Sequence, residues 1–307
     1  MLRERVGYHA HPMRDRTALV GLAYALAAYL AWGVSPVYFK ALAGVPPAEI
    51  LAHRVVWSLL LLAGLLAASR RLGALRQVMG DRRRLALLAA TAALLSVNWF
   101  LYIWAVNSGR LLEASLGYFV NPLVNVLLGV VFLGERLSVP QRWAVALASA
   151  GVLVLLLRLG AFPWVSLSLA SSFGLYGLLR KRAAIGALEG LFVETAWIAP
   201  AATALLLSLG ASGRGAFGSG TTTTALLVAA GAVTALPLLW FNHGVARLRL
   251  STIGLVQYVA PTAQFLLAVL AYREPFGSAH AAAFAFIWTS LAVYSADALA
   301  RARRAAA

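Results

Sequence analysis

The 307-residue chain contains no cysteine, which excludes disulfides, thiolate metal sites and cysteine nucleophiles. Charge is also scarce, since only 12% of the residues are charged while 62% are hydrophobic. Soluble proteins carry about a quarter charged residues and cannot enclose this much apolar surface. The composition therefore predicts an integral membrane protein in contact with the lipid bilayer.

Acidic residues are especially few, with 10 Asp and Glu against 26 Lys and Arg. Binding to nucleic acid would require a continuous basic patch with stacking aromatic rings. The basic residues instead form short clusters between apolar runs, so nucleic acid is not an expected partner. The chain also lacks HExxH and GxSxG patterns, and we expect no enzyme activity, no metal and no cofactor.

Residues 1–16 form a basic tail, and the apolar run that begins at Ala18 is too long for a signal-peptide core of about 7–15 residues. We expect this run to remain as the first spanning helix. Whether Met1 or Met13 is the start stays open.

Ten segments approach the roughly 20 apolar residues that a spanning helix requires. Their predicted bounds are 18–39, 47–68, 85–106, 112–133, 140–158, 162–179, 187–209, 223–245, 251–272 and 278–300. Twenty of the basic residues fall on alternate connections and the two ends, five fall on the other connections, and Arg54 lies within a helix. Because cytoplasmic loops accumulate Lys and Arg, this alternation predicts both termini in the cytoplasm. The expected location is the bacterial inner membrane.

The second half of the chain repeats the first at an offset of 139 to 141 residues. Residues 32–40 resemble 173–181, Trp57 corresponds to Trp197, and Pro122 corresponds to Pro261. Each half, 17–158 and 159–300, holds five predicted helices, and an odd number forces the second copy to enter from the opposite side. An inverted repeat is typical of carriers that alternate between two faces of the membrane. Residues 301–307 form a second basic tail.

Four stretches carry a family likeness: AYLAWGVSPVYFK, EILAHRVVWSLLLL, NWFLYIWAVNSGRLLEASLGYFVNPLVNVLLGVVFLGERLS and QYVAPTAQFLLAVLAYREPF. They resemble the RarD branch of the drug/metabolite transporter superfamily, whose repeat unit is the EamA domain. The resemblance implies a central cavity lined by the first four helices of each half, with the fifth and tenth helices peripheral. It also implies transport of metabolites or amphiphilic drugs.

We therefore predict a secondary-active transporter of small organic molecules, with proton-coupled export as one mode. A scaffold or sensor that does not transport, and an integral-membrane enzyme, remain the alternatives. The sequence leaves open the substrate, the direction of transport, the coupling ion and the oligomeric state.

Amides and aromatic rings recur at helical spacing on the predicted third helix, so that they share one face. A lipid-facing amide would be unpaired, which favours an inward-facing cavity wall or hydrogen bonds between helices. The predicted substrate-cavity residues are Trp32, Tyr38, His53, Arg54, Asn98, Trp99, Tyr102, Tyr118, Asn121, Tyr176, Trp240, Gln257 and Tyr258.

Glu194 and Arg54 occupy equivalent positions in the two repeats, each about seven residues into its helix. Ionisable groups within a bilayer are costly and mark functional sites by default, although a long Arg side chain also reaches the headgroups. We predict that Glu194 carries a coupling proton, because lost hydration favours its neutral form. Pro122 and Pro261 are predicted hinges, since proline removes a backbone donor.

The topology is testable on the cysteine-free background with Ser69→Cys and Ser212→Cys. An impermeant thiol reagent applied to intact cells should label the cysteine at position 212, which the topology places outside, and leave the one at 69 unlabelled. The opposite labelling pattern would refute the topology.

Overall fold

The computed structural model describes residues 12–107, 111–159, 164–271 and those of 281–300 other than 283, 284, 287, 291, 295, 298 and 299. The tail residues 1–11 and 301–307 lie outside this part of the chain. Every described element is helical. The helices are α1 (Pro12–Ala41), α2 (Pro47–Ala68), α3 (Leu72–Met79), α4 (Arg82–Asn107), α5 (Leu111–Leu133), α6 (Val139–Leu159), α7 (Trp164–Ala183), α8 (Ala187–Ala211), α9 (Thr221–Arg247), α10 (Leu250–Val256) and α11 (Val259–Leu266), and a π-helical turn follows over Leu267–Ala271.

The long helices lie where the hydropathy pattern predicts apolar segments, and α2 has the predicted bounds 47–68. The short helix α3 was not predicted and lies in the connection between two of these segments. Five described helices are long and apolar enough to cross a membrane: Thr17–Ala41, Pro47–Ala68, Arg82–Tyr102, Ala187–Ala211 and Thr221–Arg247. Large apolar side chains such as Leu60, Trp143 and Leu207 are exposed on the outside of the bundle. Such a surface suits contact with lipid rather than water.

The two halves pack mainly against each other. In the described part of the chain, α1 contacts α9 and α11, α2 contacts α8 and α9, and α5 contacts α7 and α10. Helix α6 lies at the edge against α5, and Ser290 of the last segment donates a 2.6 Å hydrogen bond to the carbonyl of Ala144 in α6. The core of the bundle is therefore formed jointly by helices of both halves.

Two glycines at equivalent repeat positions allow equivalent helices to approach closely. A Cβ at Gly33 of α1 would lie 2.6 Å from Cβ of Ala263 in α11. A Cβ at Gly174 of α7 would lie 2.8 Å from Cγ1 of Val124 in α5. Position 33 corresponds to 174, and position 124 corresponds to 263. The crossing of α1 with α11 is therefore equivalent to the crossing of α7 with α5, with the two halves exchanged.

The ninth predicted segment, 251–272, is not one continuous helix. It breaks at Gln257 and Tyr258, between α10 and α11. The carbonyl of Gln257 accepts the N–H of Ala260 at 3.0 Å, because Pro261, the residue that would donate in a regular α-helix, has no N–H. The predicted hinge Pro261 thus adjoins a real interruption, whereas α5 continues unbroken through Pro122.

In each half, a buried carboxylate at the start of a helix bonds to a loop of the other half. Glu49, at the start of α2, accepts hydrogen bonds from the backbone N–H groups of Ala216 (2.6 Å) and Phe217 (3.2 Å). Its repeat equivalent Glu189, at the start of α8, pairs with Arg71 at 3.3 Å. These contacts fix the 212–220 connection to α2 and the connection after α2 to α8.

The crossing of α10 over α5 gives a test of the packing. A Cβ at Gly254 would lie 2.6 Å from the carbonyl oxygen of Pro122, whereas nothing lies within 4 Å of a Cβ at Gly64 in α2. We expect Gly254→Ala to destabilise the protein by about 1–3 kcal/mol, because backbone cannot yield as a flexible side chain does. Gly64→Ala is the matched control and should cause no loss. Thermal melting of both purified variants measures the difference, and equal melting temperatures would contradict the crossing.

Candidate functional site

A cavity lies between the two halves, towards one end of the bundle. It is lined near the end of α1, the start of α2, the end of α4 and the start of α5, with α7, α9 and α11 completing its wall. The empty space between its walls, together with the open solvent at its mouth, is about 1010 Å³. Under the predicted topology this end is the outer face.

Eight predicted substrate-cavity residues line this cavity, as does the predicted hinge Pro261. The eight are Trp32, Arg54, Asn98, Trp99, Tyr102, Tyr118, Asn121 and Gln257. Their part in binding substrate stays a prediction, but the chain brings them to one place from four helices and from the break between α10 and α11.

Two predicted residues lie nearer the mouth and away from the cavity wall. Tyr38 donates a 2.7 Å hydrogen bond from its hydroxyl to the carbonyl of Leu226 in α9. His53 is buried, stacks on Phe217 with ring centroids 4.9 Å apart, and accepts a 3.1 Å hydrogen bond from the Trp57 indole. Both side chains are engaged in holding helices and the 212–220 connection together.

Three more predicted residues lie in packed regions of the bundle. Tyr258 is fully buried and donates to the carbonyl of Phe119 at 3.2 Å. Tyr176 is fully buried towards the other end of the bundle, and Trp240 packs against the same hydrophobic cluster. Their aromatic character suited a cavity wall, but the helix rotation that directs them elsewhere was not visible in one sequence.

Gln264, a further polar residue of the second half, also lines the cavity. Nine other lining residues were not predicted from the sequence: Tyr29, Ser35, Phe39, Gly117, Leu169, Phe173, Thr234, Leu238 and Ala260. The repeat offered a signal for one of them, because Phe173 corresponds to the predicted residue Trp32. Thr234 and Leu238 lie in an apolar run that reads as lipid-facing or core helix, and their position became clear only from the fold.

The amides in the wall are largely occupied by contacts between helices. Asn98 donates to the carbonyl of Leu169 at 2.9 Å, and Asn121 donates to that of Ala170 at 2.6 Å. The side-chain oxygen of Gln257 accepts a 3.0 Å hydrogen bond from Asn125. These donors and acceptors therefore stabilise the wall, in agreement with the alternative of hydrogen bonds between helices.

Arg54 reaches the cavity from α2 and is only partly exposed. Its Nε donates a 2.8 Å hydrogen bond to the hydroxyl of Thr234. Its guanidinium carbon lies 5.1 Å from the ring centroid of Trp99 and 5.4 Å from that of Phe39, within cation–π range. Among the described residues, no carboxylate forms an ion pair with Arg54.

A buried polar cluster closes the opposite end of the bundle. Glu194 is 1% exposed, and its carboxylate accepts hydrogen bonds from Thr91 at 2.6 Å and from Tyr176 at 3.3 Å. Nε of Arg180 lies 3.7 Å from the same carboxylate and donates to Asn242 at 3.2 Å. We call Thr91, Tyr176, Arg180, Glu194 and Asn242 the inner cluster. It links α4, α7, α8 and α9 through side chains alone.

Arg180 corrects the charge count of the sequence analysis. Its position beside Lys181 and Arg182 suggested a cytoplasmic connection, but it lies within α7 and is 5% exposed. The presence of Glu194 explains the difference, because a buried guanidinium is tolerated beside a carboxylate. Lys181 and Arg182 do reach helix ends, since they donate to the carbonyls of Leu248 and Phe132.

Residues 19–157 match the EamA-like transporter family. The chain is 49% identical over 286 residues to an uncharacterized transporter of Vibrio cholerae, covering 93% of this chain and 95% of that protein. It is 46% identical over 285 residues to the protein RarD of Escherichia coli, covering 92% and 96% of the two chains. A solved crystal structure aligns with 91% of this chain and 97% of its own at a TM-score of 0.68 and 21% identity, which shows a shared fold.

Identity of this extent over nearly the whole chain decides the family. The chain belongs to the RarD proteins of the EamA-like transporter family. The predicted resemblance, including membership of the drug/metabolite transporter superfamily, is confirmed. Together with the apolar helices, family membership makes the chain a multi-pass membrane transporter, and the names of its relatives point to transport rather than enzyme catalysis.

Proposed function

We propose that this protein is a secondary-active carrier of small organic molecules in the bacterial inner membrane, with ten spans in two inverted halves and both termini in the cytoplasm. It works by alternating access. The observation that carries the proposal is that the cavity and the inner cluster are built from equivalent repeat positions at opposite ends of the bundle.

Three positions show this correspondence. Tyr176, Arg180 and Glu194 form most of the closed end, and their repeat equivalents are Ser35, Phe39 and Arg54. All three equivalents line the open cavity. One half therefore closes its end while the other half leaves the equivalent end open. An exchange of the two arrangements would open the inner cluster to the cytoplasm and close the cavity mouth.

The helix crossings support such an exchange. The contact of Gly33 with α11 is equivalent to the contact of Gly174 with α5. Each half therefore packs on the other through an equivalent close helix crossing, along which the helices can shift. The break beside Pro261 supplies a place where α10 and α11 can change direction, because the regular hydrogen bonding is already interrupted there. A scaffold would need neither mirrored crossings nor a cavity at one end of the bundle with a closed polar cluster at the other.

Opening the inner end requires separation of Arg180 from Glu194. Both groups are buried, and an isolated charge without partner or water in such surroundings is strongly unfavourable. Separation must therefore accompany the entry of water from the cytoplasm. The inner cluster thus acts as a closure in which Arg180 and Glu194 are either paired with each other or hydrated.

Two reporter cysteines test alternating access. Ser35→Cys lies in the cavity wall, and Leu95→Cys lies one helical turn from Thr91 and is buried in the hydrophobic core. We expect Glu194→Gln, which weakens the ion pair, to raise labelling at position 95 from the cytoplasmic side and to lower labelling at position 35 from outside. The measurement is the rate of reaction with an impermeant thiol reagent in oriented vesicles.

The control is Arg214→Gln, which removes a basic side chain on the outer connection and should change neither rate. A channel would show rates that rise together at both positions. A scaffold would show no response at either. Either result would overturn the proposal, since alternating access requires opposite changes.

We further propose that Glu194 takes up and releases the coupling proton. The supporting observation is that Glu194 is the acidic member of the inner cluster and is held by hydroxyl donors as well as by Arg180. While the cluster is closed, the carboxylate is cut off from water. Proton exchange with the cytoplasm is therefore restricted to the conformation in which the cluster has opened.

For this role, Glu194→Gln should abolish transport driven by a pH gradient while preserving exchange of substrate at equal pH, which moves no net protons. Transport by proteoliposomes under both conditions separates the two effects. Full gradient-driven transport by the variant would leave Glu194 as a structural partner of Arg180.

A further inference from the structure

We infer that the cavity binds a planar aromatic monocarboxylate that carries no ammonium group, and that Arg54 binds its carboxylate. This deepens the proposed carrier function and rests on the cavity being its substrate site. Among the described residues that line the cavity, Arg54 is the only charged side chain.

The guanidinium is oriented before any ligand arrives. Its Nε is held by the Thr234 hydroxyl at 2.8 Å, and the Trp99 and Phe39 rings lie beside the guanidinium at 5.1 and 5.4 Å. The hydrogen bond uses Nε, and no bond from the two terminal nitrogens to another described residue is present. That pair of nitrogens matches the two oxygens of a carboxylate in a bidentate geometry.

Other polar groups of the wall are poorly placed to determine the class of ligand. The amides of Asn98 and Asn121 already donate to backbone carbonyls of α7, and Gln264 donates to the carbonyl of Trp32 at 3.1 Å. A ligand that competed for these donors would leave helix carbonyls unpaired, at a cost. Charge complementarity to Arg54 therefore dominates the polar recognition.

The apolar part of the ligand follows from the rings. Trp32, Trp99, Tyr102, Tyr118 and Phe173 all line the cavity, and Tyr102 and Tyr118 meet edge to face at 5.8 Å. Flat aromatic walls favour a planar ring by stacking and by burial of apolar surface.

The lack of an acid in the described wall separates simple carboxylates from amino acids. An ammonium group would enter the cavity beside the Arg54 guanidinium, where none of the described lining residues offers a carboxylate to receive it. Repulsion and lost hydration both oppose that arrangement. A cationic amphiphile is opposed for the same reason.

The test uses ligands that share one ring and differ in one group: indole-3-acetate, its neutral analogue indole-3-acetamide, the cation tryptamine and the zwitterion tryptophan. Equilibrium binding to the purified full-length protein should saturate with indole-3-acetate at up to millimolar concentration. The three analogues should bind at least about tenfold more weakly, because a hydrogen bond to a charged group contributes about that factor or more.

The same measurements are made on Arg54→Gln. The control variant is Arg214→Gln, which also removes one positive charge but lies outside the cavity. Arg54→Gln should lower the affinity for indole-3-acetate about tenfold or more, to the level of the acetamide, while binding of the acetamide stays unchanged. Arg214→Gln should leave both affinities unchanged. Arg54→Lys keeps the charge without the planar pair of donors and should give an intermediate affinity.

The inferred ligand class would be overturned if the wild-type protein bound indole-3-acetate and indole-3-acetamide equally. Stronger binding of tryptamine or tryptophan than of indole-3-acetate would also overturn it, and both comparisons hold even if no Arg54 variant folds. No saturable binding of indole-3-acetate by the wild-type protein would do the same. Unchanged acetate affinity in a folded Arg54→Gln variant would remove Arg54 from the site. Failure of the carrier proposal is seen separately, because it appears in the paired labelling rates and not in equilibrium binding.

Discussion

Every polar side chain between the ends of these helices must find its partner inside the bundle, because lipid offers no hydrogen bonds. The bundle meets this constraint in two layers. At one end Arg180 pairs with Glu194, and their hydroxyl and amide neighbours are engaged, although Nη1 of Arg180 has no hydrogen-bond partner among the described residues. At the other end Arg54 faces a cavity with one described hydrogen bond and no described ion pair. The proposed closure is therefore the end where the buried charges are paired, and the proposed binding site is the end where the charge is left for a ligand.

Much of the architecture could be predicted because hydropathy and turn residues act locally. The bounds of α2 follow directly from its apolar run and from the prolines before it. Arg180 was misplaced because three successive basic residues look alike in a sequence, although only one of them turns towards Glu194. The break between α10 and α11 depends on which carbonyl is left without a donor at Pro261. The hydrogen bond of Thr234 to Arg54 depends on the rotation of α9, which neither composition nor residue spacing predicts.

In the candidate site, too, some features could be predicted from the sequence and others depend on contacts between helices. Seven of the eight predicted residues that line the cavity were chosen because amides and rings within a membrane segment tend to face inward, and Arg54 because it is ionisable. Their spacing could not show which of the amides were already bonded to a neighbouring helix. Asn98 and Asn121 thus line the cavity, while their amide donors are used in packing against α7. The repeat places Arg54 and Glu194 at equivalent positions in the two halves, and their described contacts lie in separate layers.

The interleaving of the two halves has a consequence for how the protein is made. Tyr38 of α1 bonds to a residue 188 positions later, and Arg54 of α2 bonds to one 180 positions later. When the ribosome has released the first two helices, the surfaces against which they will pack have not yet been synthesised. The early helices must therefore wait in the bilayer as inserted but unassembled spans, with Arg54 still lacking its Thr234 partner. Assembly is a late event that begins once the second half has entered the membrane, so a chain truncated after its first repeat would insert without acquiring the native fold.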